Sequence, residues 1–498
     1  MASFWRRFGA ASRIDWLVLA LLGAVAVLFG WKAGTPVLHV WDEARLAVNA
    51  TEMLQSGDWL ITRYNGQPDL WNTKPPLLIW LQAGCLRLLG HNLWALRLPS
   101  LVAAMGTAWL LYRFGRRTLQ SRFVGTFAAL TLATSPGFNG THVARFGDYD
   151  ALLTLTLTAT ALQWYQYAHD RQTKQLWRGA AWFALALLTK SAAAVLLLPA
   201  VGAGWLALPG GRWAARQWRT YGVVLAAFGP LALFYWLRET AAPGYLAATW
   251  FNDWYGRISQ HLVTVQYPWW VYFQRLLFPG LLTWSWLLPV GGWLASSGAA
   301  AARPKRLFAR FAGLLVVTFL VIISAARTRL GWYSAPVYPM AALLCALGLE
   351  HLVLLVRARW HWPRPVVAGL LAVATAVPAG LLLYHEHGRW EDEKTDPMLH
   401  HGYQLPPLLQ LPPPRAVTLV QAERYPAVLL FYKAALREAG VDLAVVGPAP
   451  AHLQHLRPGQ RLLVGADSTR RYVLRHYRAQ SEPTVAGGTL LKIMGSRE

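Results

Sequence analysis

A series of apolar runs limits what this chain can fold into. They cover about 14–31, 95–112, 123–137, 150–168, 178–189, 192–207, 221–237, 277–297, 307–325, 334–356 and 366–384. A helix needs ~20 apolar residues to cross a bilayer core, and most of these runs come close to that length. The runs 123–137, 178–189 and 192–207 fall short, and the last two predict a tight hairpin that does not fully cross. Leu77–Leu89 is interrupted by Gln82 and Arg87, so it either crosses or lies in the interface. Composition agrees, with 55% hydrophobic and only 14% charged residues, against about 25% charged in soluble domains. The expected fold class is a polytopic α-helical membrane protein of about 11–13 transmembrane helices.

The net charge is +24. The basic residues cluster in short loops between apolar runs, so topology explains the charge and no nucleic-acid partner is implied. The basic loops are Arg6/Arg7/Arg13, Arg113–Arg122, Arg171–Arg178, Arg212–Arg219, Arg303–Arg310 and Arg357–Arg364. They alternate with loops 32–76, 138–149, 238–276 and 326–333, which hold most of the membrane-edge carboxylates. The positive-inside rule puts the N-terminus in the cytoplasm of a bacterial-type inner or plasma membrane. The run 14–31 lacks a cleavage site and reads as a retained helix. Cys85 and Cys345 imply neither a disulfide framework nor a cysteine metal site.

Residues 1–384 form the expected membrane domain. The tail, 385–498, changes character after the proline-rich "LPPLLQLPPPR". Strand-like "AVTLVQA", "VDLAVVG", "RLLVGA" and "GTLLKIMG" alternate with helical "PAVLLFYKAALREAG" and basic "STRRYVLRHYRAQ". This predicts a small soluble α/β domain, on the extracytoplasmic side if the crossings are odd in number. Its basic stretch, with Arg470, Arg471, Arg475 and Arg478, either touches anionic headgroups or glycans or is a solvated face.

Four polar clusters fall on the non-cytoplasmic side. "WDEARLAVNATEML" has helical spacing, with Asp42 and Glu43 at the positive end of a helix dipole and Arg45 one turn on. The plain alternative is a capped interfacial helix. In "WNTKPPLLIW", Pro75 and Pro76 stiffen the chain beside Lys74, either a point charge for a lipid phosphate or a snorkelling lysine. "HVARFGDYDALLTL" brings Arg145, Asp148 and Asp150 to the start of a crossing helix, where the acids either cap it or serve a site. "AARTRLGWYSAPVYP" places Arg327, Arg329 and Tyr333 at a helix end, as phosphate forks or as interfacial anchors. A cavity shared by the four would hold a carboxylate base beside phosphate-binding cations. That chemistry suits group transfer from a lipid phosphate.

The run "WDEARLAVNATEMLQSGDWLITRYNGQPDLWNTKPPLLIWLQAGCLRLLGHNLWALRLPS" resembles the first outer loop of the GT-C glycosyltransferases. Within them it is most similar to the group containing the undecaprenyl-phosphate aminoarabinose (lipid A) transferase and the dolichyl-phosphate-mannose protein mannosyltransferases. Later matching pieces are "HVARFGDYDALLTL", "LALLTKSAAAVLLLPA" and "ARTRLGWYSAPVYPMAALL", so the resemblance runs through about 10–385. It implies an inverting transferase that uses a polyprenyl-phosphate sugar, with Asp42 as catalytic base and Glu43 completing an acidic pair. It makes Asp148 and Asp150 the second carboxylate region and Lys74 a donor-phosphate ligand. Arg327, Arg329 and Tyr333, with Arg145 nearby, join that phosphate set. "FNDWYGRISQH" then offers Asn252, Arg257 and His261 to the cavity.

Thr73 stands where many relatives carry Glu in a region that contributes to a metal site. No cofactor is therefore required, and a divalent metal is left open without being claimed. The partners implied are a polyprenyl-phosphate sugar donor, membrane lipids and a lipid, protein or glycan acceptor. Two other classes stay in view: a lipid-linked sugar transporter or flippase, for which Lys190 is the main mid-helix charge, and a non-catalytic scaffold presenting the C-terminal domain.

Overall fold

The structure is a computed structural model that describes residues 16–35, 37–260, 267–296, 303–393, 396, 399–411, 415–420, 426–465, 467–482 and 489–497. The apolar α1 (Trp16–Gly30) is followed by α2 (Asp42–Ser56), which begins at the acidic pair. Next come α3 (Leu77–Leu89), α4 (Leu93–Arg117), α5 (Arg122–Ala133), α6 (Tyr149–Asp170), α7 (Thr173–Val195) and α8 (Leu197–Leu206). The remaining long helices are α9 (Trp218–Ala241), α10 (Arg303–Ala325), α11 (Gly331–Trp360) and α12 (Arg364–Glu393).

Among the described residues, α4 and α9 to α12 are long and apolar enough to cross a bilayer. The pair α7 and α8 adds a sixth span if read as one broken crossing, bent by 77°. The chain is a multi-pass membrane protein. On α12, Val366, Leu370, Val373, Val377 and Leu381 are exposed at helical spacing, a stripe that suits lipid.

Two expected spans take other forms. The run 277–297 is broken at Pro279 into a π-helical turn, a 3₁₀ turn and the helix Leu287–Ser296. Proline has no N–H to continue the ladder. In place of the expected hairpin of 178–189 and 192–207, α7 consists of two helical pieces that meet at a kink at the non-helical Lys190 (φ −156°, ψ 81°), and a 77° bend into α8 follows.

Helix α6 is the centre of the bundle and is buried along nearly its whole length. Three of its threonines satisfy themselves, as Thr154, Thr156 and Thr160 donate to carbonyls of the preceding turn at 2.7–2.9 Å. A helix sheathed by protein does not need a lipid-facing composition, so α6 is long without being strongly apolar. Helices α4 and α5 approach closely at glycines: a Cβ on Gly115 would lie 2.4 Å from the Gly125 nitrogen.

The tail forms a five-stranded sheet. Its strands are β3 (Ala416–Val420), β4 (Asp442–Val446), β5 (Arg461–Val464), β6 (Tyr477–Glu482) and β7 (Thr489–Ser496), after the short hairpin β1 (Arg63–Tyr64) and β2 (Gln67–Pro68). The order is β4-β3-β5-β7-β6, parallel on the β3 side and antiparallel at β7. The basic stretch is only half helical. Asp467–His476 (α14) carries Arg470, Arg471 and Arg475, whereas Arg478 lies in β6, paired to β7. Helix α13 (Ala427–Glu438) packs on α2. Glu438 meets His91 at 2.7 Å, and the Tyr432 hydroxyl meets the Leu38 backbone. The tail is thereby fastened to the first outer loop.

Candidate active site

The end of α6 that starts at Asp150 opens into a cavity of about 350 Å³. One part is apolar, lined by Leu153, Leu196, Phe319, Ile322 and Ile323. The other part collects charge: Lys74, Asp150, Lys190, Asp253, Arg257 and Tyr333 all line it. An apolar groove ending in cations fits a molecule with a hydrocarbon tail and an anionic head.

Each charged group is held by a different element. Lys190 sits at the break in α7, and its ammonium lies 3.0 Å from both oxygens of Asp150. Asp253, in the π-helical turn Trp250–Tyr255, accepts from the Thr73 hydroxyl at 2.7 Å. It also faces Lys74 at 4.0 Å and Arg257 at 3.8 Å. Arg257 donates to the Tyr333 hydroxyl. Lys74 lies 5.5 Å from the centre of the Tyr149 ring, and Tyr149 is anchored to Asn72.

Beside this charged end stand Asp42 and Asp148, joined through His142. The His142 Nδ1 is 2.6 Å from Asp148 Oδ2 and 3.9 Å from Asp42 Oδ2. Asp148 is the N-cap of α6 and accepts from the Tyr149 N–H at 2.6 Å. Burial disfavours charge on the His142 ring. The Asp148 hydrogen bond and charge, with Asp42 and Asp150 behind it, outweigh that and hold its pKa above the ordinary histidine value. Burial likewise works against the Asp148 carboxylate, but the same imidazole draws its pKa below the usual aspartate value.

Other expected residues take structural roles. Glu43 is buried and fully engaged: Arg97 reaches its two oxygens at 2.7 and 2.8 Å, and the Gly147 and His39 N–H groups donate at 2.7 and 2.9 Å. It locks α2 to α4 and to the loop before α6, with no oxygen left for a substrate. Arg45 makes a two-pronged pair with Asp69 at 2.7 and 2.8 Å. Arg145 pairs with Glu386 of α12 at 3.0 Å. Asn252 donates to the Leu70 carbonyl at 2.9 Å. Arg329 holds the Ser324 and Tyr267 carbonyls at 3.0 and 2.7 Å. Arg327 is exposed, with its backbone bound to Ile258. None of these six lines the cavity, and His261 lies outside the described residues.

The profile of the family described as dolichyl-phosphate-mannose-protein mannosyltransferase matches residues 73–236. An undecaprenyl phosphate-alpha-4-amino-4-deoxy-L-arabinose arabinosyl transferase of Pseudomonas savastanoi is 28% identical, over 67% of this chain and 61% of its own length. The protein of that name from Edwardsiella ictaluri is 26% identical, over 75% of this chain and 73% of its own. The chain spans about three fifths of the length of the first of these relatives. The crystal structure of ArnT from Cupriavidus metallidurans bound to undecaprenyl phosphate superposes with a TM-score of 0.65, over 96% of this chain and 98% of that one, at 17% identity. This chain shares the fold of that ArnT structure. The resemblance to the aminoarabinose transferase and protein mannosyltransferase group, read from the spaced outer-loop motif, stands on all three comparisons.

Asp253 of this site was not singled out in the sequence, and Lys190 was named there only as a mid-helix charge for a transporter. Asp253 lies inside the quoted "FNDWYGRISQH", and Lys190 inside "LALLTKSAAA". The signal for Lys190 was present, since a lysine within an apolar run must find a partner. His142 opens the quoted "HVARFGDYDALLTL", but the reading of that stretch stopped at its arginine and aspartates.

The metal question turns on the same residues. Asp42, His142 and Asp148 bring three ligand-type atoms within 4.8 Å of one another. Two carboxylates and an imidazole suit a divalent ion in kind. Here, however, the Nδ1 that faces both acids is joined to Asp148 by a 2.6 Å hydrogen bond. As placed, that nitrogen is engaged with Asp148, and a divalent ion held by the three would have to take the place of this hydrogen bond.

Proposed function

We propose that this chain is an inverting glycosyltransferase that moves a sugar from a polyprenyl-phosphate donor to an acceptor at the outer face of the membrane. The observation that carries the reading is the cavity itself. Its apolar groove suits a polyprenyl tail, and Lys74, Lys190 and Arg257 with Tyr333 suit the phosphate. Asp42 stands beside that charged end, its side chain half exposed where an acceptor can reach it. The activity in those relatives' names, arabinosyl transfer from an undecaprenyl-phosphate sugar, supports the same reading.

In this mechanism Asp42 takes the proton of an acceptor hydroxyl while that oxygen attacks the anomeric carbon. The sugar–phosphate bond breaks, and its electron pair leaves with the polyprenyl phosphate. Cations fixed in place stabilise that growing charge without reorganising, and a positioned base contributes typically about 10²–10⁴-fold. Lys190 is held on Asp150 within the cavity, which suits a binding site better than a charged path through the bilayer. This arrangement favours the enzyme over a flippase.

The test is sugar transfer in proteoliposomes supplied with undecaprenyl-phosphate aminoarabinose or polyprenyl-phosphate mannose, against lipid A, peptide and glycan acceptors. Asp42→Asn is expected to fold normally and lose transfer by about 10²-fold or more. Near-wild-type turnover in that variant would remove Asp42 as the base. A wild-type protein inert towards both donors would remove the reading.

A further inference from the structure

His142 is held more tightly than a packing residue needs to be. Its backbone φ is 66°, and Trp41, the residue before Asp42, has φ 71°. L-residues with side chains seldom adopt this left-handed region, and it persists where the surroundings over-determine it. Both loops that bring Asp42 and the imidazole together therefore contain such a residue. The His142 ring stacks on Trp332, with centroids 3.7 Å apart and planes 21° from parallel. It also meets His39 edge-on at 5.9 Å and lies parallel to Phe146 at 6.4 Å. Trp332 directly precedes Tyr333, the cavity residue bound to Arg257. One ring thus ties the Asp42 loop, the start of α6 and the start of α11 to one another.

Its polar edge is as constrained as its faces. A single nitrogen, Nδ1, faces two carboxylates at 2.6 and 3.9 Å. With Asp150 next along α6, three acids converge. Like charges this close oppose one another's ionisation unless a cation lies between them. Lys190 serves Asp150, and among the described residues the His142 ring is the group placed between Asp42 and Asp148 that can carry a positive charge.

We propose that His142 is a positioning residue for the transfer step: as an imidazolium it shares a proton with Asp148 and holds the ionised Asp42 carboxylate at the mouth of the cavity, facing the acceptor hydroxyl. This rests on the reading of Asp42 as base. The acceptor's O–H proton goes to Asp42, the glycosidic C–O bond forms, and the sugar–phosphate C–O bond breaks towards the phosphate. His142 keeps its own proton throughout.

The groups facing His142 are Asp42 from α2, His39 from the segment before it, Asp148 and Asp150 from α6, and Trp332 from α11. Arg389 of α12 sits behind it, donating to Thr141 at 2.8 Å. Burial lowers the His142 pKa, and the hydrogen bond and charge of Asp148, with the charges of Asp42 and Asp150, outweigh it and hold the pKa above its ordinary value. The charged arrangement is therefore complete at lower pH and is lost as pH rises through that raised pKa.

The test uses the full-length protein in proteoliposomes with the active donor from the assay above. Asn tolerates the left-handed backbone and can hydrogen-bond to Asp148, but it cannot carry charge. For His142→Asn we expect kcat to fall by about 10²-fold, with donor KM and undecaprenyl phosphate binding little changed. The alkaline fall of the wild-type pH–kcat curve disappears in this variant. Asp148→Asn moves that fall to lower pH, a shift a merely structural histidine would not produce, and it provides the test if His142→Asn does not fold. An active wild type with His142→Asn near its kcat, or an alkaline limb unmoved in Asp148→Asn, overturns this inference alone. So does a wild-type rate abolished by chelation and restored by a divalent cation only while His142 is present, because the trio would then be a metal site. A wild type inert with both donors overturns the parent reading and this one together.

Discussion

At the scale of single residues, neighbouring acids have opposite fates. Asp42 is half exposed beside the cavity, whereas Glu43 is buried under Arg97. Removing one partner of such a buried pair costs about 3–5 kcal/mol, because it leaves the other charge unpaired. Glu43→Ala is therefore expected to lower thermal stability in detergent by about that much and to reduce expression. A Glu43→Ala protein that melts like wild type but is inactive would return Glu43 to the chemistry. Lys74 has the converse signature. A charged hydrogen bond contributes about 1.5–3 kcal/mol, so Lys74→Ala should weaken undecaprenyl phosphate binding by roughly 10- to 100-fold without altering the melting temperature. Unchanged affinity would identify Lys74 as a snorkelling residue. The sequence could not separate Asp42 from Glu43, because their fates depend on Arg97, 54 positions further on.

At the scale of elements, legibility followed lipid contact. Helices α9 and α12 were plain from hydropathy, since much of their apolar surface stays exposed, and α10 and α11 were plain because their long apolar runs are unbroken. α2 was plain from spacing, and the tail strands from alternation. What escaped were features set by tertiary context, such as the break at Lys190, the π-helical turn that delivers Asp253 and the strand β6 where a helix was expected. Each has a local sequence compatible with more than one form, resolved by a partner far along the chain: Asp150 for Lys190, Thr73 for Asp253 and β7 for β6. The α4–α5 hairpin gives an element-scale test. A Cβ at Gly115 would meet the α5 backbone at 2.4 Å, so Gly115→Ala forces the helices apart. Overpacking of this kind typically costs about 1–3 kcal/mol, and a lower melting temperature is the expected readout. An unchanged one would mean that the hairpin can spread freely.

At the scale of the whole molecule, the tail and the membrane bundle are joined at the site. Glu386 and Arg389 at the end of α12 hold Arg145 and Thr141, on either side of His142. From the tail, α13 presses on α2, the helix that begins at Asp42. Truncation after Glu391 keeps Glu386 and Arg389 but removes α13, and is therefore expected to lower transfer to every acceptor, because the helix that carries Asp42 loses its support. If the shortened protein kept its rate and merely changed acceptor preference, the tail would be a recognition module.

The size of the cavity has its own consequence. At about 350 Å³ it lies at the small end of pockets that enclose a drug-sized ligand, so under the proposed function it has room for a phosphate, a sugar and only the first isoprene units. The rest of a polyprenyl chain would remain in the bilayer and contribute to how the donor is delivered, not to how it reacts. Truncated, water-dispersible donors with a few isoprenes should then turn over in detergent with a kcat close to that of the full-length lipid. A kcat that climbed steadily with isoprene number would mean that the protein grips far more of the tail than this groove encloses.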